Sequence, residues 1–153
     1  MKPSVPTSNA IFATAFDTNS GDFLNALGLP VFKVASGDLL SIGLIRHLAS
    51  FGKPLIISTG GGTLKDVRRI YNTLESYGVT SHGRFLSDQL AFLQCTATYP
   101  PQASELNLSV IQQYRVAFPN TVIGLSDHYD GLLPGPLAYM LGARVFEKHF
   151  TIN

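Results

Sequence analysis

Six short apolar runs, residues 11–16, 31–35, 55–58, 90–96, 121–126 and 145–150, recur along the chain. Their length and their content of Val, Ile, Leu and Phe predict β-strands. Between them the apolar spacing changes to a helical period. Phe23, Leu24 and Leu27 form a short helical stretch closed by Gly28 and Pro30. Residues 39–51 carry Leu40, Leu44, Ile45, Leu48 and Ala49 on one stripe. Thr63 is the N-cap candidate of a helix that turns Val67, Ile70, Tyr71, Leu74 and Tyr77 inward and ends at Gly78. Residues 107–118, stopped by Pro119, and residues 134–142 supply two more helices.

Strands alternating with helices imply right-handed βαβ units and a parallel sheet. Consecutive units without a glycine-rich dinucleotide fingerprint favour a β/α barrel over a doubly wound sheet. A complete eight-unit barrel takes about 250 residues, whereas this chain has 153. The expectation is an α/β fold, a parallel (β/α) barrel of TIM type that is incomplete. About six of eight strands are present, the first two strands and the last helix are missing, and residues 1–153 make one partial domain.

Composition narrows the class. Hydrophobic residues make up 45% and charged residues 14%, a balance suited to strands buried on both faces. No apolar run reaches the roughly 18 residues of a membrane span, and the first residues lack a secretory apolar stretch. One cysteine, Cys95, excludes an internal disulfide and fits a reducing, cytoplasmic setting. It reads as a small buried hydrophobe. The formal charge of +1 gives no reason to expect nucleic acid, and Lys65, Asp66, Arg68 and Arg69 read as a solvated helix face.

Candidate chemistry gathers where strands end, the place where β/α barrels build their sites. His128 and His149 each close an apolar run, and Ser126 shares a face with His128 by strand alternation. Two imidazoles on neighbouring strands can share a divalent metal. Lys33 interrupts the second strand ahead of Ser36; Thr14 and Phe16 end the first. Ser58 and Thr59 precede Gly60, Gly61 and Gly62, and Thr96, Thr98 and Tyr99 follow the fourth strand. A lysine, several hydroxyls and free backbone N–H groups suit a phosphorylated anion beside a metal. Taken singly, each residue has a plainer reading: a snorkelling lysine, a hydrogen-bonded structural histidine, a glycine turn. His47 and His82 read as surface residues. Glu147 shares parity with His149, so it either supports an imidazole or pairs with a cation elsewhere. Compatible chemistry at five strand ends together favours a site.

Six ordered stretches resemble the sialic acid synthases and their legionaminate, pseudaminate and spore-coat relatives. They are Phe12-Ala13-Thr14-Ala15-Phe16-Asp17, Phe32-Lys33-Val34-Ala35-Ser36-Gly37-Asp38, Lys53-Pro54-Leu55-Ile56-Ile57-Ser58-Thr59-Gly60, Cys95-Thr96-Ala97-Thr98-Tyr99-Pro100, Gly124-Leu125-Ser126-Asp127-His128 and Glu147-Lys148-His149-Phe150-Thr151. The resemblance implies a transferase that condenses phosphoenolpyruvate with an N-acylated hexosamine such as N-acetylmannosamine, releasing phosphate and a nine-carbon sugar acid. It implies that His128 and His149 hold a divalent metal, commonly Mn2+, with Mg2+ or Co2+ as substitutes. Thr14, Lys33, Ser36, Ser58, Thr98 and Ser126 match positions on the phosphoenolpyruvate side, and Phe16 and Tyr99 positions facing the sugar. Lys33, His128, Glu147 and His149 match the catalytic group.

Two positions depart from the family pattern: Thr98 replaces an asparagine and Gly61 a methionine. The family's C-terminal antifreeze-like domain, and the homodimer that relies on it, have no counterpart in these residues. Two other readings stand beside the synthase: a non-catalytic fragment or assembly partner, and another phosphoenolpyruvate-condensing or aldolase-type barrel.

Overall fold

A computed structural model describes residues 9–76 and 89–152. Within them six parallel strands form one sheet in the order β1-β2-β3-β4-β5-β6. The strands are β1 (Ala13–Thr14), β2 (Phe32–Val34), β3 (Leu55–Ser58), β4 (Leu90–Cys95), β5 (Val122–Asp127) and β6 (Val145–Lys148). Five helices connect them: α1 (Thr18–Ala26), α2 (Ile42–Ser50), α3 (Leu64–Ser76), α4 (Val110–Ala117) and α5 (Pro134–Met140). The sheet curls into part of a barrel. Its strictly sequential order lacks the reversal that marks a doubly wound sheet.

The core lies between the sheet and its helices. Phe32, Val34, Ile57 and Phe92 point from the strands into a layer completed by Ile45, Leu48, Val67, Ile70, Ile111 and Phe118. Alternation then commits the other strand residues to the opposite face. Register places Thr14 beside Lys33, Ser58 beside Leu93, and Cys95 beside Ser126 beside Glu147 on that face.

Local chemistry sets the element ends. Asp17 caps α1 by accepting the Ser20 N–H at 2.6 Å, which starts this helix five residues ahead of its apolar pattern. Thr63 caps α3 as expected: its N–H donates to Asp66 while its hydroxyl accepts from the Asp66 N–H. The expected end of that helix, Tyr77 and Gly78, lies outside the described residues, as does His82. Residues 39–51 do not form one helix: Leu39 caps a separate 3-10 turn, Ser36–Asp38, and α2 starts only at Ile42. Residues 107–109 stay out of α4, since Asn107 takes a positive φ of 46° that no helix continues. β1 shrinks to two residues: it pairs on one side only, and Ile11 and Phe12 are exposed.

Exposed apolar side chains stand at both edges of the sheet, among others on the helices and loops. Ile11, Phe12 and Phe16 flank β1, and Phe146, Phe150 and Ile152 lie along and beyond β6.

Candidate active site

The carboxyl ends of β2, β3, β5 and β6 converge on two small networks. The first is built around Lys33, which is buried to 5% exposure although it carries a charge. Its Nζ donates to its neighbour's carbonyl, Val34 O, at 3.1 Å and lies 3.5 Å from Glu147 Oε2. Ser58 donates to the same Glu147 oxygen at 3.4 Å. Both distances to Glu147 exceed the 2.7–2.9 Å typical of a tight charge-assisted bond. The ammonium is therefore desolvated but only loosely paired. Of the two readings of Glu147, the contacts seen are those to the Lys33 cation and the Ser58 hydroxyl, while its charge also acts on His128.

The second network holds the imidazoles. His128 Nδ1 and His149 Nε2 face each other at 2.9 Å, one ring donating its N–H to the other's lone pair. His128 Nε2 lies 3.3 Å from Ser126 Oγ. Tyr99 covers the pair, its ring centroid 4.3 Å from that of His128 and 6.3 Å from that of His149. Burial holds the His128 pKa below its ordinary value, with the neighbouring His149 and Lys33 adding to the depression. The carboxylates of Glu147 and Asp127 oppose it less strongly. His128 is thus kept in the neutral form that can offer a lone pair.

Ser36 reaches the site through the glycine turn, its Oγ accepting the Gly60 N–H at 2.9 Å. A Cβ on Gly60 would lie 2.9 Å from that oxygen and 3.2 Å from Cys95 Sγ, so the close approach needs glycine. Thr14 lies in register with Lys33. Phe16 and Thr98 are exposed on the loops after β1 and β4, and no hydrogen bond or ring contact ties them to the other site residues among those described. His47 is not a free surface residue: its Nε2 lies 2.9 Å from Asp22 Oδ1 and joins α2 to α1. Cys95 is buried, as expected.

Sequence reasoning missed two features. Lys148 and Asp127 form an ion pair at 2.8 Å directly behind the histidines. Opposite charges at matching places beside two candidate ligands were the available signal. Tyr114 donates its hydroxyl to Thr59 at 3.0 Å, and Thr59 donates to Leu93 O at 2.9 Å. This buried chain anchors α4 to the β3 and β4 ends.

A family model described as the NeuB family matches residues 7–153. The chain belongs to the NeuB family. It is 40% identical over 141 residues to the N,N'-diacetyllegionaminic acid synthase of Legionella pneumophila, covering 92% of this chain and 38% of that protein. It is 36% identical over 141 residues to the N-acetylneuraminate-9-phosphate synthase of Drosophila melanogaster, covering 92% of this chain and 36% of that one. The crystal structure of the spore coat polysaccharide biosynthesis protein SpsE from Bacillus subtilis superposes with a TM-score of 0.84 at 35% identity, over 94% of this chain and 38% of that chain. This NeuB chain therefore spans well under half the length of the relatives it matches.

Proposed function

We propose that this NeuB chain carries the anion and metal side of a synthase site that condenses phosphoenolpyruvate with an N-acylated hexosamine to a nonulosonic acid, releasing phosphate. The observation that carries the reading is the convergence of a desolvated, loosely paired lysine with a pair of facing histidines at the same end of one parallel sheet. Lys33 supplies the charge for a phosphate or carboxylate. Ser58 and Ser126 supply hydroxyl donors, and Ser36, which already accepts the Gly60 N–H, has its own O–H left to donate. Thr14 and Thr98 stand on the same side, and Phe16 and Tyr99 offer ring surface to the sugar. Glu147 is placed to exchange the Lys33 ammonium and the Ser58 hydroxyl with an incoming anion.

The histidine pair fits a divalent metal, and Mn2+ is the proposed ion. Two donor nitrogens 2.9 Å apart match the roughly 3.0 Å expected of neighbouring ligands at a right angle with bonds of about 2.0–2.1 Å. Among the described residues no third His, Cys, Asp or Glu joins them, so the pair offers two donors with the remaining positions open. A bound metal would supply Lewis acidity toward the aldehyde of an open-chain sugar. The chain's own residues would bind and orient the anion, hold His128 neutral and stack Tyr99 over the sugar side.

The sheet's exposed apolar edges and the partial coverage of relatives support a further reading of the fold. The six strands would be part of an eight-stranded barrel, with two strands preceding β1 and a helix following β6. No helix among the described residues is long and apolar enough to cross a membrane.

The test is product formation by the protein that carries this domain. It would be incubated with phosphoenolpyruvate, Mn2+ and a panel of acceptors: N-acetylmannosamine, its 6-phosphate and diacetylated hexosamines. Phosphate release matched by a nine-carbon acid in the mass spectrum supports the proposal. Condensation with an unacylated aldose phosphate instead, or no product with any acceptor, overturns it.

A further inference from the structure

We propose that the Lys148–Asp127 ion pair is a positioning clamp that sets the distance between the His128 and His149 imidazoles. The inference deepens the reading of the histidines as a metal pair, and its value to function rests on that reading. Asp127 and Lys148 are in register across β5 and β6, one step from Ser126 and Glu147. Alternation turns them to the helix side of the sheet, behind the site.

Three bonds close around His128 from there. Lys148 Nζ donates to Asp127 Oδ2 at 2.8 Å and to Tyr129 O at 2.7 Å. The Tyr129 N–H donates to Asp127 Oδ1 at 3.0 Å. Both residues flanking His128 are thereby tied to one ammonium, and that ammonium belongs to the residue immediately before His149. β5 ends at Asp127 and β6 at Lys148, so each histidine stands one residue past the end of its strand. The clamp ties these two strand ends together directly before the histidines.

The arrangement differs from an ordinary surface ion pair. The Asp127 side chain is only 5% exposed, against 33% for Lys148. A carboxylate that deep, with one oxygen committed to each partner, holds a single geometry. Exposed pairs, by contrast, exchange geometries freely and contribute little. The clamp's hydrogen bonds go to backbone and to each other, not to the imidazole rings, so the role is positioning through the backbone.

The experiment compares the chain with its Lys148→Met, Asp127→Asn and Lys148→Arg variants. The first readout needs no metal: the NOE between the two histidine rings and the 15N–15N coupling across the Nδ1···Nε2 contact. Wild type is expected to show both, Lys148→Met and Asp127→Asn to lose them, and Lys148→Arg, which keeps a cation within reach, to retain the NOE. Amide shifts of the β3 and β4 core report whether each variant keeps its fold. Should Asp127→Asn not fold, Lys148→Met, altered on the wetter side of the pair, carries the comparison. The second readout is Co2+ affinity from its visible absorption, expected to fall about 10- to 100-fold when the support of the ligands is removed.

Ring signals that persist in a folded Lys148→Met variant overturn the clamp. So does their absence in wild type, or a loss that comes only with unfolding of the whole sheet. If wild type binds no Co2+ while the ring signals behave as stated, the clamp stands and the metal reading fails.

Discussion

Replacing Lys33 with methionine separates the two roles a buried lysine can have. The substitution keeps the length and most of the volume of the side chain and deletes its charge. In the free chain the ammonium is 5% exposed, and its bonds are the 3.1 Å contact to Val34 O and the 3.5 Å approach to Glu147. Removing it relieves a desolvation penalty but strands Glu147. That stranded charge is tolerable here, because the Glu147 side chain is 41% exposed and water and the Ser58 hydroxyl solvate it. Loss of a partner is severe only when the remaining charge is buried. Free-chain stability is therefore expected to change by no more than about 1 kcal/mol in either direction, a shift of about 2–4 °C in Tm at this size.

Anion binding responds differently. If Lys33 bonds the phosphate or carboxylate of phosphoenolpyruvate, its loss removes a hydrogen bond to a charged group, worth about 1.5–3 kcal/mol. That is a fall in affinity of about 10- to 150-fold. Isothermal titration with phosphoenolpyruvate measures the affinity, and thermal unfolding of the same preparations measures the stability. A small Tm shift with a large loss of affinity is the expected pair. The opposite pair, unchanged affinity with a Tm fall beyond about 10 °C, would show that Lys33 is a structural member of the sheet and refute the anion site.

Three further outcomes follow from the packing. Gly124→Ala places a Cβ 2.2 Å from Val145 O and 2.5 Å from Leu93 Cδ2, so β5 and β6 must part. A loss of at least about 1–3 kcal/mol is expected, read as a lower denaturant midpoint together with loss of the contact between the His128 and His149 rings. Tyr114→Phe removes one buried hydroxyl while Thr59 keeps its bond to Leu93 O, so chemical denaturation should show a loss of only about 1 kcal/mol. Burial raises the Tyr114 pKa above 10.0, and this outweighs the opposing bond to Thr59. The neutral phenol's contribution is thus complete below that pH and lost as pH climbs through the raised value. Wild-type stability should fall in that alkaline window and Tyr114→Phe should fall less; equal alkaline limbs would refute the assignment.

Strand number and order were legible in the sequence because each apolar run is long enough to be buried on both faces and each intervening segment long enough for a crossover. The ends were less so, for nameable reasons. The apolar pattern of residues 39–51 starts ahead of α2 because Leu39, which caps the preceding 3-10 turn, is buried whether or not it is helical. Asn107 breaks the helical pattern through its backbone conformation, which composition does not record. At the site, strand parity correctly put Ser126 and His128 together. It could not decide between the partners of Glu147, since that choice depends on how far the curl of the sheet carries β6 toward β2. The same parity turns Asp127 and Lys148 to the helix side, and parity alone does not reveal that they pair there.

Charge balance within the site leads to one more expectation. Lys33 is matched by Glu147 and Lys148 by Asp127, while burial keeps His128 neutral. These residues therefore supply no net positive charge to a ligand that carries both a phosphate and a carboxylate. An anion can enter only by displacing Glu147 from Lys33 or by arriving with a cation, and the divalent ion proposed for the histidine pair would provide the second route. Phosphoenolpyruvate and Mn2+ should therefore bind with positive coupling. A coupling of about 1–3 kcal/mol corresponds to a 5- to 150-fold gain and must be reciprocal. Titrating phosphoenolpyruvate with and without Mn2+, then Mn2+ with and without phosphoenolpyruvate, tests both the size and the reciprocity. The solution contact between the two must first be subtracted by a titration without protein. A gain that survives His128→Ala would place the ion elsewhere. Independent binding of the two would mean that Glu147 alone yields to the anion, and that the histidine pair serves the sugar without helping to hold phosphoenolpyruvate.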